Sequence, residues 1–244
     1  MIKITSVNNE LVKNTAKLLQ KKYRDESGLF LLEGEKCIEE AISSGIEIER
    51  IFVEEGHDLY KNAENIETTE AVLSKISSTV TPPKAIAVGK QVINNWNNNF
   101  KKVVLLENIK DAGNLGTILR TSAAFGVDAV ILYGDTVDLY NPKCVRSSVG
   151  NLWKVPVFTM NKDELNLKFC NFEKVATLPK SSDSVWLSEY KPKTKVLIMF
   201  GAESTGLSEE LKSFANKNVT IEMADNVESL NLSISAGIFL YKIR

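Results

Sequence analysis

Three polar blocks, each carrying glycine and each tied to a short apolar run, constrain this chain more than any other feature. Val103–Leu106 leads into residues 108–120 (NIKDAGNLGTILR) and Val196–Phe200 leads into residues 201–208 (GAESTGLS). Residues 228–237 (ESLNLSISAG) open the last apolar helical pattern. Short buried strands followed by glycine turns and helix starts build ligand sites at the strand ends of open α/β sheets. The turn chemistry narrows the ligand. Gly201 and Gly206 have the spacing of a phosphate loop, yet Leu207 stands where such a loop needs lysine. Glu203 inside the loop repels a triphosphate, and the dinucleotide glycine fingerprint is absent. A neutral or cationic ligand fits better, and a sulfonium such as S-adenosylmethionine is one of that kind.

Periodicity organises the chain into two parts. Residues 1–90 alternate helix and strand signals, with helices predicted over 9–22, 35–43 and 70–76 and strands over 29–32, 48–53 and 85–88. They read as a small α/β sandwich domain. Residues 91–100 are asparagine-rich and periodless and read as a linker. From 101 to 244, strands are predicted at 103–106, 129–133, 155–158, 174–177, 195–200 and 219–222. Helices are predicted at 115–125, 142–149, 162–169, 208–214 and 230–244. Continuous Val/Ile/Leu strands separated by helices mean an α/β fold, mainly a parallel sheet covered on both faces.

Composition removes whole classes of chemistry. The single histidine, His57, lies in an acidic turn-like stretch and reads as a solvated loop residue, which argues against a Ser-His-Asp triad. Cys37, Cys144 and Cys170 are scattered and odd in number, so neither a zinc site nor a disulfide frame is expected, and no metal. No apolar run reaches membrane-span length, and the start (MIKIT) lacks a signal-peptide core, so a reducing cytoplasm is expected. Lys plus Arg number 30 against 31 Asp plus Glu, so the whole chain does not advertise a polyanion partner. The distribution is more telling: residues 1–24 carry Lys3, Lys13, Lys17, Lys21, Lys22 and Arg24 against Glu10 alone. On a helix, Lys13, Lys17, Lys21 and Arg24 share one stripe, while Val12, Ala16, Leu19 and Tyr23 form an apolar one.

Together the three blocks resemble the signature motifs of the SpoU (TrmH-type) RNA ribose 2′-O-methyltransferases, within the knotted SPOUT superfamily. The resemblance covers about residues 101–244 and extends to residues 141–150 (NPKCVRSSVG) before Val155-Pro156-Val157. Residues 21–35 (KKYRDESGLFLLEGE) are similar to the substrate-binding domain of members acting on ribosomal RNA. The resemblance implies a C-terminal trefoil knot, S-adenosylmethionine as cofactor, an RNA substrate, and a homodimer formed through the C-terminal domain. It makes Asn114 and Arg120 a substrate-facing pair; residues 115–119 are largely apolar, so the helix there is expected to start with Asn114 as its N-cap. A guanidinium is not a base, so Arg120 is expected to clamp a phosphate and stabilise developing alkoxide charge. Gly201 and Gly206 let the backbone approach the cofactor, while Ile221, Met223 and Leu230 grip its adenine. Glu203 either holds a polar group of substrate or cofactor or caps the helix near Ser208. Ser229 is a substrate contact or an N-cap, and Asn231 bonds the ribose or holds the arginine. With these motifs downstream, Lys13, Lys17, Lys21 and Arg24 are expected to meet RNA phosphates. Ribosomal RNA is favoured over transfer RNA. The alternative is a non-catalytic RNA-binding or ribosome-assembly protein that kept the fold.

Overall fold

The computed structural model describes residues 2–57, 60–61, 63–181, 183–224 and 226–244. Its contacts separate two units, residues 1–93 with 138–154, and residues 94–137 with 155–244. The first unit contains β1 (Ile2–Ile4), α1 (Glu10–Lys17), α2 (Lys21–Ser27), β2 (Leu29–Glu33), α3 (Glu35–Ser43), β3 (Ile48–Glu54), β4 (Asn65–Thr68), α4 (Glu70–Ile76) and β5 (Ala85–Lys90). There follow β6 (Lys102–Glu107), α5 (Ala112–Ala124) and β7 (Ala129–Tyr133) of the second unit, then α6 (Pro142–Ser148), which packs with the first. The second unit continues through β8 (Val157–Thr159), α7 (Lys162–Lys168), β9 (Glu173–Thr177), β10 (Ser184–Trp186), β11 (Val196–Phe200), α8 (Glu209–Phe214), β12 (Lys217–Thr220) and α9 (Leu232–Lys242).

The first unit is a mixed five-stranded sheet in the order β1-β4-β3-β5-β2. Strand β2 is buried almost throughout because α2, α3 and α6 all pack on it, so its sequence is continuously apolar rather than alternating. The sequence pattern misses β1 and β4, whose three and four residues are too few to establish a period. His57 lies in a turn with Nε2 3.2 Å from Glu35, a partially covered position rather than a fully solvated one.

The helix expected over 9–22 is two helices, and this corrects the basic stripe. After Lys17 the amides of Leu18, Leu19 and Gln20 bond three residues back, and Gln20 turns extended before α2 starts. The break frees the Leu18 carbonyl, which accepts Arg24 Nη1 at 2.7 Å. Arg24 Nε and Nη2 both donate to Asp138 Oδ2, at 2.8 and 2.5 Å, and only 2% of the side chain is exposed. Arg24 therefore cannot meet an RNA phosphate; burial requires a paired charge, and Asp138 supplies it. Lys13, Lys17 and Lys21 stay exposed, while Val12, Ala16 and Leu19 turn into the core as expected.

Residues 138–154 bind to the first unit by the same means. Arg146 Nη1 donates to the buried Glu33 at 2.9 Å and also meets Ser78 Oγ. Tyr140 and Trp153 lie against Phe30, with ring centroids 4.7 and 6.3 Å away. Asn141 caps α6 and Pro142 opens it, where a missing amide hydrogen costs nothing.

The second unit is an all-parallel seven-stranded sheet in the order β10-β12-β9-β11-β6-β7-β8. Val103, Leu105, Ile131, Leu197 and Met199 form one core with Leu165 of α7, Phe169 at its C-cap and Leu211 of α8. The other face holds α5 packed on α9, with Phe239 against Phe200 and Tyr190. The asparagine-rich stretch is not a bare tether. Trp96 and Phe100 pack into an aromatic group with Phe158 and Phe169.

Candidate active site

Strands β12, β9 and β11 are adjacent and parallel, so their C-terminal ends open on one edge of the sheet. A pocket of about 560 Å³ lies there, within the range of small-molecule sites. Thr177, Leu178 and Pro179 leave β9, residues 200–207 leave β11, and Thr220, Ile221 and Met223 leave β12. Glu228, Ser229, Leu230, Leu232 and Ser235 close it from the third motif. Gly201, Gly206, Ile221, Met223 and Leu230, all expected at the cofactor, thus line one cavity. The sequence misses Thr177, Leu178 and Pro179, because only strand order places the end of β9 beside β11.

The two glycines of the second block act differently. A Cβ on Gly201 would stand 2.0 Å from the Gly206 carbonyl carbon and 2.2 Å from Leu207 N. The loop folds back on itself there, with Gly206 N donating to Ala202 O at 2.8 Å. Gly201 is therefore required by the loop's own backbone, whatever ligand approaches it. Gly206 has φ +65° and a Cβ there would meet nothing within 4 Å, so its bare backbone borders open space. The helix after the loop is capped by Ser208, whose Oγ accepts Leu211 N at 3.3 Å. Ser208 N in turn donates to the buried Glu107 at 2.7 Å. Glu203 does not cap this helix.

Instead Glu203 joins the first and third blocks. Asp111, not Asn114, caps α5, accepting Asn114 N at 2.8 Å. The Asn114 side chain is left free to donate through Nδ2 to Glu203 Oε1, and its Oδ1 accepts Asn231 Nδ2 at 3.1 Å. Asn231, not Ser229, caps α9, with Oδ1 accepting Ser233 N at 2.9 Å and Ile234 N at 3.3 Å. Backbone amides only donate, so the helix end fixes which way Asn231 points. That amide orients Asn114, and Asn114 turns its donor to Glu203. The three blocks are thereby linked by a directed relay of neutral amides ending on one carboxylate.

Arg120 is exposed on α5 and makes no hydrogen bond or ion pair among the described residues. Ile234, Ile238 and Tyr241 recur at i, i+4 and i+7 on α9 and are all at least 40% exposed. Ser229 lines the pocket and is exposed. No helix among the described residues is long and apolar enough to cross a membrane.

Comparison with known proteins agrees with this geometry over both units. The SpoU rRNA methylase family matches residues 101–241, and the MRM3-like substrate binding domain matches residues 9–87. The chain is 30% identical to the Bacillus subtilis 23S rRNA guanosine 2′-O-methyltransferase RlmP, covering 100% of each chain. It is 32% identical to an uncharacterized tRNA/rRNA methyltransferase of Synechocystis, over 99% of this chain and 93% of that one. Among solved structures, the AdoMet-bound rRNA methyltransferase from Sinorhizobium meliloti superposes with a TM-score of 0.87 at 28% identity, covering 98% and 96% of the two chains.

Proposed function

Because the chain belongs to the SpoU rRNA methylase family, we propose that it transfers a methyl group from S-adenosylmethionine to a ribose 2′-hydroxyl of 23S ribosomal RNA. Membership carries with it the family's trefoil knot. The observation that carries the activity is the joining of the three motif blocks at one pocket, with the Glu203–Asn114–Asn231 relay beside it. The 23S assignment follows the activity named for the Bacillus relative, which aligns end to end. The MRM3-like N-terminal match supports a substrate-binding role for the first unit.

The pocket fits the cofactor. Its floor is apolar at Ile221, Met223 and Leu230, and the bare backbone at Gly206 lets a ligand approach closely. Those residues would hold S-adenosylmethionine. Bound there, it supplies an electrophilic methyl on a leaving group that departs neutral, so the transfer needs no metal. The chain's own task is orientation and charge. Glu203 sets Asn114, and Asn114 and Asn231 present amides to the ribose. Arg120 carries a guanidinium that clamps the neighbouring phosphate and stabilises the developing alkoxide. Ser229 is a further substrate contact at the rim. Lys13, Lys17 and Lys21 hold RNA phosphates on the first unit.

Arg120 serves the site of a second copy in a homodimer. Its side chain is unpartnered among the described residues, on the helix that packs against α9. Helix α9 is apolar nearly all round, and Ile234, Ile238 and Tyr241 leave one stripe uncovered within the single chain.

The test is methyl transfer to ribosomal RNA from cells lacking the gene, followed by mapping of 2′-O-methyl positions. One new ribose methyl in 23S RNA is expected; methylation only of transfer RNA, or none, overturns the assignment. Arg120→Ala is expected to lose roughly 10²–10³ in kcat with cofactor affinity unchanged. Mixing it with a Gly201→Ala chain is expected to restore activity if the two functions come from different subunits.

A further inference from the structure

We propose that the strand-start end of the methyltransferase unit is a second binding surface for the RNA backbone. The proposal rests on the reading of the chain as an RNA enzyme. Four neighbouring strands, β12, β9, β11 and β6, each begin within one residue of a lysine, Lys217, Lys174, Lys195 and Lys102. Because the strands are parallel, these lysines share one end of the sheet, opposite the end that opens on the pocket. Adjacent strands lie about 4.8 Å apart, so the four starts span about 14 Å. The register places Lys174 and Lys195 on the face of Leu197 and Lys102 and Lys217 on the opposite face, so the cations rim both sides of this end of the sheet. Lys101, Lys168 and Lys193 flank these starts in sequence.

Charge pairing supports the proposal. Among the described residues, none of these seven lysines is ion-paired to a carboxylate. On the N-terminal helices, Lys13, Lys21 and Lys22 share exposed ion pairs with Glu10, Asp25 and Glu26, weak enough for a phosphate to displace, and Lys17 has none among the described residues. Two carboxylates lie by these strand starts, Asp128 just before the neighbouring β7 and Glu173 at the start of β9, and their bonded oxygens accept neutral donors rather than lysine ammonium groups. Asp128 Oδ2 accepts the backbone amides of Lys101 and Lys102, at 2.7 and 2.8 Å. Glu173 Oε2 accepts Tyr190 Oη at 2.8 Å and Lys193 N at 3.1 Å. In a chain whose net charge is −1, a block of unneutralised cations is a local field that attracts a polyanion.

Shape and hydrogen bonding favour a phosphodiester chain. Three of the lysines lie over aromatic rings, Lys168 over Trp96 and Lys174 over Phe214 at 4.9 Å, and Lys195 over Phe172 at 5.4 Å. Their heads are thus held in place rather than sweeping freely through solvent. An open cleft lined by Lys193, Lys195, Thr194, Asn171 and Asn216 runs beside them. Asn216 Oδ1 accepts Lys174 N at 2.9 Å, which turns its NH₂ donor away from the strand. Helix C-terminal dipoles account for Lys168 and Lys212, which sit in the last turns of α7 and α8, but not for the strand lysines.

The test uses the full chain and a fluorescein-labelled polyuridine of about 60 nucleotides, with anisotropy followed across a salt series. The variant is Lys174→Gln/Lys193→Gln/Lys195→Gln/Lys217→Gln, and its arginine counterpart is the charge-preserving control. The glutamine variant is expected to lose about 0.7 in log–log salt slope per abolished contact, up to about 2.8, and the arginine variant to keep the slope. Melting temperature and S-adenosylmethionine affinity are expected to stay at parent values. On full-length 23S RNA the same variant is expected to raise KM by about tenfold with kcat retained. An unchanged salt slope in a folded glutamine variant overturns the proposal. So does an unchanged slope accompanied by lost association with ribosomal subunits, which assigns the surface to an acidic protein. Failure of the parent itself to bind polyuridine or methylate RNA counts against the RNA-enzyme reading instead.

Discussion

Arg24 separates the sequence-level expectation from the folded structure, and one substitution decides between them. Arg24→Met keeps the length and apolar stem of the side chain and removes three charge-assisted hydrogen bonds, two to Asp138 and one to the Leu18 carbonyl. Asp138, with 12% of its side chain exposed, is left as an uncompensated charge. Breaking a buried pair in this way costs about 3–5 kcal/mol. For a chain of this length that corresponds to a drop of roughly 6–20 °C in melting temperature. Arg24→Met/Asp138→Leu removes both charges and is expected to recover most of the loss, since the penalty is mainly the orphaned carboxylate. Urea unfolding followed by tryptophan fluorescence measures the stability of parent, single and double variants. The same proteins are titrated with single-stranded RNA at several salt concentrations. The RNA slope is expected to be unchanged in every folded variant, because the guanidinium never reaches solvent. A stable Arg24→Met protein whose slope is shallower by about 0.7 would refute the argument and return Arg24 to the phosphate-binding stripe.

Other expectations follow from the site. Asn231→Asp keeps an N-cap oxygen but has no donor for Asn114, so kcat is expected to fall while thermal stability holds; Asn231→Ala is expected to lose about 0.5–2 kcal/mol of stability as well. Equal stability losses in the two variants would show that the relay is only structural. Gly206→Ala is expected to weaken S-adenosylmethionine binding by about five- to thirtyfold, the equivalent of roughly 1–2 kcal/mol for a left-handed non-glycine residue. Gly201→Ala is expected to abolish binding, because its Cβ overlaps the loop backbone; calorimetry ranks the two, and a reversed order sinks the loop argument. Among the cysteines, burial pushes the Cys37 thiol up to about 12 and raises Cys144 as well, whereas Cys170 is exposed. A thiol reagent at neutral pH is therefore expected to label one fast site, Cys170, until the protein unfolds; three fast sites in the native protein would contradict the burial of the other two.

Local pattern determined a good deal by itself. The apolar runs at Val103–Leu106, Ala129–Tyr133 and Val196–Phe200 are strands at or within one residue of the expected positions, because strands buried on both faces of a parallel sheet are written as continuous Val, Ile and Leu. The polar blocks that follow announced where the ligand site would lie, since a strand end and a helix start meet there whatever surrounds them. Loop chemistry also excluded a phosphate loop, because Glu203 and Leu207 can be read without coordinates. What the sequence left undecided depends on groups far apart in the chain. Arg24 looks like one more surface cation until Asp138, more than a hundred residues later, arrives beside it. Asn114 was read as a cap and Ser229 as a possible one, yet Asp111 and Asn231 take those places. Capping is decided by backbone angles that residue type only biases, and freeing Asn114 is what lets it meet Glu203 and Asn231. The assignment of residues 138–154 to the first unit has the same origin. Nothing local tells Arg146 that its carboxylate is Glu33, and ion pairs, unlike apolar runs, carry no periodicity to betray their partners.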